Sequence, residues 1–250
     1  MKFNINYFKK IFSKSNIHSF DFVYIYSDFR FFLSQNLNNQ KFIQQFIKIF
    51  LKNNQTIIVP SFSYSKKIFD VKKTKSEVGF LSNFLLKDKL SLRSNHPIFS
   101  YLAIGPKKNI VNSVGKSAFG IGCLHSKLLF NNCAFLHIGR KLIYGNTLIH
   151  HVEQNLNAKY RFEKKFKTKV YHGKKFIGSN FKAFVRKNNN KLSSFTFEKI
   201  IKNKKIRKLI VKLNNEKDLK SIFCYSFDDF YLLLHELYLK DNNIFIKKKS

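Results

Sequence analysis

Carboxylates are scarce in this 250-residue chain, where 14 Asp and Glu face 47 Lys and Arg and the formal net charge is +33. So few acidic groups leave little with which to line a cleft that gathers polycations. Cysteine is scarce too. Cys123, Cys133 and Cys224 are odd in number and form no C-x-x-C pair, which argues against a disulfide framework and for reduced thiols. No apolar run approaches the roughly 18 residues of a membrane span, since stretches such as 42–51 are interrupted by Lys and Gln. The stretch 1–12 scatters Lys2, Lys9 and Lys10 among aromatics, without the compact apolar core or small-residue cleavage site of a signal peptide. These absences describe a soluble cytoplasmic protein with no membrane partner. No Pro/Gly/Ser-rich linker and no internal repeat divides the chain, so residues 1–250 read as one domain.

What the chain has in quantity is apolar and basic side chains. A hydrophobic content of 44% is enough, over this length, to bury a substantial core. Basic residues are spread throughout, with denser runs at 164–167, 202–208 and 247–249, a surface able to bind polyanions at low salt by counterion release. The accompanying Asn, Ile, Phe and Tyr all have AT-rich codons, so the same balance arises without selection for a polyanionic partner. No RRM, KH, zinc-finger or helix-turn-helix signature turns this charge into recognition, and no specific nucleic-acid partner is expected. A basic, catalytically silent anion-binding protein is the competing reading.

The hydrophobic pattern alternates between two periods. Residues 22–26 read as a buried strand, with Ser27 and Asp28 capping a helix over 31–37. Phe42, Ile43, Phe46, Ile47, Phe50 and Leu51 form a helical stripe over 41–52. Strands are predicted at 55–60, 101–104 and 134–138, and helices at 78–86 and 147–156. This alternation predicts an α/β fold, a single-domain sandwich with a central mixed sheet covered by helices. From about residue 160 to 250 the pattern weakens into an α+β extension. There a hairpin is predicted around His172 to Lys175, an exposed loop over 187–191, a strand at 209–213 and an amphipathic helix over 227–240.

The run Asn146-Thr147-Leu148-Ile149-His150-His151-Val152-Glu153 carries the most chemistry. On a helix, residues i and i+3 share a face, so Glu153 can reach the His150 ring. A carboxylate that accepts from one ring nitrogen fixes the tautomer, leaves the other nitrogen to take a proton, and stabilises the imidazolium that results. Two other readings fit the spacing: a merely polar helix start, or metal ligands of a hydrolase together with His96 or His137, although no H-E-x-x-H is present. Cys123 reads as a small buried side chain, with a nucleophile beside His150 as the alternative.

Upstream of the pair stand Val59-Pro60-Ser61-Phe62-Ser63, Phe69-Asp70, the run Thr74-Lys75-Ser76-Glu77-Val78-Gly79-Phe80-Leu81-Ser82, Arg93-Ser94-Asn95-His96-Pro97 with Ser100, and Phe119-Gly120. In this order and spacing, over about residues 20–155, the chain resembles the aminoglycoside 3-N-acetyltransferase family, acetyl-CoA-dependent enzymes unrelated in fold to the GNAT acetyltransferases. The resemblance implies direct acetyl transfer from acetyl-CoA to an amino group of a small-molecule acceptor, an aminoglycoside-like compound or an amino sugar, with no acyl-enzyme and no metal, and a substrate-side region over about 160–250. It implies His150 as general base, Glu153 as its orienter, and Thr147 with nearby backbone N–H groups as oxyanion donors. It implies a cofactor-binding side at Ser27, along Ser61, Phe62 and Ser63, and beside Arg93 and Ser94, with a brace on the His96-Pro97 turn as the alternative for Arg93. His96 itself is a turn or supporting residue.

Departures from the family pattern bear on cofactor and acceptor. The pyrophosphate of CoA is expected on the helix opened by Ser27 and Asp28, where the family usually has His-Ser-Ser and this chain has Tyr26-Ser27-Asp28. Thr74-Lys75-Ser76 replaces a Thr-Pro-Ser turn, and Asn83 stands where Glu is common. His18, His125, His137, His172 and His235 have no motif around them and receive no role. A field this positive repels a polycationic aminoglycoside at long range. The expected acceptor is therefore an amino sugar or related amine that carries negative charge.

Overall fold

The computed structural model describes residues 3–36, 38–64, 67–144, 146–187 and 192–248. Its first helix, α1 (Ile5–Ser13), begins at Asn4, whose side chain accepts from the N–H groups of Asn6 and Tyr7 and so fills donors that a helix start leaves over. Strand β1 (Phe22–Ser27) follows, then the short α2 (Arg30–Ser34), the long α3 (Asn39–Leu51) and β2 (Thr56–Pro60). The chain continues through β3 (Ile68–Asp70), α4 (Phe80–Leu86), β4 (Leu92–Arg93), β5 (Tyr101–Ile104), α5 (Leu124–Leu128), β6 (Cys133–Ile138) and α6 (Leu148–Asn155). Four strands come next, β7 (Arg161–Phe166), β8 (Lys169–His172), β9 (Lys175–Gly178) and β10 (Phe181–Arg186), then β11 (Leu192–Phe195). The remainder is α7 (Glu198–Lys202), α8 (Lys204–Leu209), β12 (Val211–Lys212), β13 (Ile222–Ser226), α9 (Phe227–Lys240) and β14 (Ile246–Lys248).

A seven-stranded mixed sheet in the order β12-β13-β6-β1-β2-β5-β4 forms the centre. β1 runs parallel to β2 and β6, and the outer strands add antiparallel. Alternation along β1 sends Phe22, Tyr24 and Tyr26 to one face and Val23 and Ile25 to the other. The first face packs against α5, α6 and α9 through Leu124, Leu148, Val152, Phe227 and Phe230. The second packs against α1, α3 and α4 through Phe8, Phe12, Phe46, Phe50 and Leu81. Strands buried on both faces need helices on both sides, which is the layered arrangement the alternation predicts.

The C-terminal region is α+β, and part of it completes the central sheet, since β13 pairs with β6 from Ile222 opposite Ile138 to Ser226 opposite Ala134. β8 and β9 form the expected hairpin, and β3 adds to its edge. The strand expected at 209–213 shrinks to β12 because Leu209 closes α8. The helix expected after Ser27 and Asp28 is only the five residues of α2, with Phe29 at its N-cap and no side-chain cap. Of the loop expected over 187–191, residues 188–191 lie outside the described residues, as do Leu37 and Lys249 of the other expected segments. Among the described residues no helix is long and apolar enough to cross a membrane.

The parallel strands bring their carboxyl ends together, the place where open α/β sheets form ligand crevices. Ser27, Pro60 and Arg140, at or just beyond the ends of β1, β2 and β6, line one small cavity there. Gly139 leaves β6 at φ +64, and a Cβ at this position would collide with the Asp28 carbonyl oxygen, so only glycine allows the two strand exits to approach.

Candidate active site

Helix α6 is started by Asn146, whose Oδ1 accepts from the Leu148 N–H at 3.0 Å, and its Leu148, Ile149 and Val152 are buried against the sheet. This rotation turns His150 toward a cavity and buries Glu153 completely behind it. His150 Nδ1 lies 2.8 Å from Glu153 Oε2. Tyr160 Oη donates to Glu153 Oε1 at 2.9 Å. Arg161 Nε sits 2.7 Å from Oε2 as an ion pair that is off the direction of its N–H, and its Nη1 donates to the Phe184 carbonyl at 2.9 Å. Burial alone would raise the Glu153 pKa, but His150 and Arg161 hold the carboxyl below its ordinary value, so it is ionised.

Arg161 Nη2 also approaches His150 Nδ1, at 2.9 Å. The two neighbours of Nδ1 make opposite demands, a carboxylate that only accepts and a guanidinium that only donates; the charge of the carboxylate at 2.8 Å assigns the proton to Nδ1, which donates to Glu153. Nε2 is then the unprotonated nitrogen. Burial pulls the His150 pKa below its ordinary value; Glu153 opposes that shift, and the charges of Arg161 and Arg186 add to it.

Thr147 sits at the head of α6, half-buried on the cavity wall. Its Oγ1 lies 2.6 Å from Tyr26 Oη, 3.0 Å from His125 Nε2 and 3.5 Å from Tyr24 Oη. The Thr147 N–H donates to Tyr26 Oη at 3.1 Å. Backbone donors at this helix start, those of Thr147 and Leu148, are thus engaged inside the protein, contrary to the expectation that they face an oxyanion. Thr147 lines the cavity, and its hydroxyl is bonded to the buried Tyr26 and His125.

The cavity beside His150 measures about 480 Å³ and is walled by Tyr26, Phe62, Tyr64, Phe99 and Tyr144 together with Arg140, Arg161 and Arg186. A second cavity of about 510 Å³, reaching Ser27, Asp28, Arg30 and Gly79, shares Arg140 and Tyr144 with the first. The Arg140 guanidinium lies over the Tyr26 and Tyr144 rings at 5.5 and 5.7 Å. Asp28 does not make this groove acidic, because Arg30 clasps it through Nε and Nη2 at 2.9 and 2.5 Å. A further cavity, about 640 Å³, lies around Arg93, Lys72 and Lys87 and shares no lining residue with the one at His150.

Of the six residues expected on the cofactor side, Ser27 and Phe62 reach the groove. Arg93 does not. It is buried over the Phe69 ring, with Nη2 donating to the Ser61 carbonyl at 2.7 Å, Nη1 to the Thr74 carbonyl at 2.5 Å and Nε to Ser100 Oγ at 3.0 Å. Its role is a brace, built from carbonyls instead of a salt bridge. Ser63 Oγ donates to the Pro97 carbonyl at 2.7 Å and Ser94 Oγ accepts from the Tyr101 N–H at 2.9 Å, while Ser61 Oγ is buried with no hydrogen-bond partner. His96 is a turn residue: Nδ1 accepts from the N–H groups of Ile98 and Phe99, and Nε2 donates to the Lys182 carbonyl. His137 bonds Tyr225 Oη at 2.7 Å, and among the described residues no group of His, Cys, Asp and Glu gathers to hold a metal ion. Cys123 is fully buried, its Sγ 3.4 Å from His151 Nδ1, and burial pushes the thiol pKa up to about 11.

The sequence model of the family described as aminoglycoside 3-N-acetyltransferase matches residues 36–220. This chain belongs to the aminoglycoside 3-N-acetyltransferase family. Among solved structures, AAC-IIIb in a binary complex with CoASH superposes with a TM-score of 0.75 at 12% identity, covering 99% of each chain. The YokD protein from Bacillus subtilis gives 0.68 at 16% identity, over 96% of this chain and 98% of that one. The apoenzyme of aminoglycoside acetyltransferase AAC(3)-IVa gives 0.67 at 16% identity, over 90% and 84%. At such identities the likeness is one of fold. Among curated proteins none matches in sequence.

As a member of the aminoglycoside 3-N-acetyltransferase family the protein is an acyltransferase, and the groups around its His-Glu pair extend beyond the motif. Tyr160 and Arg161 hold Glu153 from just beyond the motif-rich stretch. His125 reaches Thr147 across 22 positions, and nothing local in sequence announces that contact. Arg140 carries a readable signal, an arginine after the glycine that ends a buried strand.

Proposed function

We propose that the protein transfers the acetyl group of acetyl-CoA to the amino group of a small amino sugar, with His150 as general base and Glu153 as its orienter. The observation that carries this reading is the 2.8 Å contact of His150 with a buried, ionised Glu153 on the wall of a cavity in a chain of this family. The binary complex of AAC-IIIb with CoASH supports acetyl-CoA as the cosubstrate. The groove fits such an anion, because its one carboxylate among the described residues is matched by Arg30 and Arg140 remains as surplus positive charge. When bound, acetyl-CoA supplies an acetyl thioester whose C–S bond breaks as the acceptor nitrogen bonds the carbonyl carbon.

His150 Nε2 takes the proton shed by the acceptor nitrogen, and Glu153 stabilises the imidazolium until that proton passes to the departing thiolate. The Thr147 hydroxyl, held by Tyr26 and His125, becomes a donor to the carbonyl oxygen as that oxygen gains charge once the Tyr26 proton turns from Tyr24 to Thr147. Five aromatic rings on the cavity wall offer flat apolar surface to a sugar ring. Mixing acetyl-CoA with amino sugars should release the CoA thiol and give an acetylated amine by mass spectrometry. Thiol release that no amine accelerates would overturn this reading.

A further inference from the structure

The cavity at His150 has three arginines, Arg140, Arg161 and Arg186, and no Asp or Glu among the described residues that line it. Glu153 offers no charge to the cavity, being fully buried and held by His150, Tyr160 and Arg161. A polycation would enter this space against three guanidinium groups. The three have different work. Arg161 is committed to Glu153 and the Phe184 carbonyl, so it belongs with the base. Arg140 lies between the two cavities, over Tyr26 and Tyr144, and so faces the groove of the CoA arm. Arg186 is exposed at the end of β10 and lines the cavity at His150 but not the groove at Ser27.

Arg186 stands directly opposite Arg161 in the β7–β10 pairing. Two guanidinium groups thus share one side of the β7–β10 pair, and both lower the proton affinity of His150. Guanidinium forks match carboxylate and phosphate oxygens. We propose that the acceptor carries an anionic substituent, a carboxylate or a phosphate, held by Arg186 on the cavity wall while its amino group meets His150. This proposal rests on the acetyl-transfer reading and names the acceptor class for it.

The experiment measures thiol release from saturating acetyl-CoA with four acceptors: glucosamine, glucosamine 6-phosphate, 2-amino-2-deoxyglucuronate and a polycationic aminoglycoside. At least one of the two anionic amines should exceed glucosamine in kcat/KM by roughly tenfold or more, as expected for a charge-assisted contact, and the advantage should fall as salt is added. The phosphate and carboxylate arms identify which anion fits. Arg186→Gln should erase that advantage through KM, with a smaller change in kcat, and Arg186→Lys should restore part of it. Preference for glucosamine or for the polycation, or an anionic preference untouched by Arg186→Gln, overturns the proposal and leaves acetyl transfer standing. Turnover with none of the four, when acetyl-CoA is bound, overturns the amino-sugar reading and this inference with it.

Discussion

His150 is pulled in two directions, and its pH behaviour reports the balance. Burial and two arginines lower its proton affinity while Glu153 raises it. The acid limb of kcat, at saturating substrates, should therefore lie below the ordinary histidine value near ~6.5. Glu153→Gln removes the opposing charge, so it should move that limb to still lower pH and depress the plateau. A limb above neutrality, or a shift to higher pH in Glu153→Gln, would contradict this balance. Cys123 gives a second check. Its thiol is buried and pushed up to about 11, so Cys123→Ser should keep most activity, and mass spectrometry should find no acetylated enzyme after mixing with acetyl-CoA alone. A stoichiometric acetyl adduct on Cys123 would favour a covalent route instead.

Among the elements, the β4–β5 edge depends on Arg93, which ties β4 to the exit of β2 and to the turn at Thr74. Arg93→Met should cost about 3 kcal/mol in urea unfolding, because it leaves buried carbonyls without donors, and should leave acetyl-CoA affinity almost unchanged. Loss of affinity at unchanged stability would instead place Arg93 against the cofactor. That serines 61, 63 and 94 face inward was not legible in sequence, since a strand exit does not say whether a hydroxyl turns toward a carbonyl or toward a groove. Elements with a strong apolar period were legible: β5 and α9 fall where the pattern put them, and α3 follows its stripe. β7 was not, because its middle residues are exposed and charged, with no alternation to read. Arg161 and Arg186 come from that pair of strands, so the His150–Glu153 contact could be read from an i, i+3 spacing while its surrounding charge could not.

For the whole molecule, buried histidines and excess cations set the response to acid. Burial holds His96 and His151 down to about 4 and His137 to about 3. Each has a folded pKa below its unfolded one near ~6.5, so its contribution is fully present above ~6.5 and is lost as pH falls through the folded value, at about 1.4 kcal/mol per pH unit. With a formal charge of +33 already on the chain, thermal unfolding should move steeply to lower temperature between ~6.5 and ~4. A melting temperature flat across that window would contradict the neutral, buried state of these rings. The central claim is that His150 is the base of an acetyl transfer, and comparing His150→Ala with the native protein tests it most directly. The account predicts that turnover of acetyl-CoA with its best amino-sugar acceptor falls by roughly two or more orders of magnitude, while calorimetry shows acetyl-CoA binding nearly unchanged. Near-native turnover in His150→Ala would contradict it.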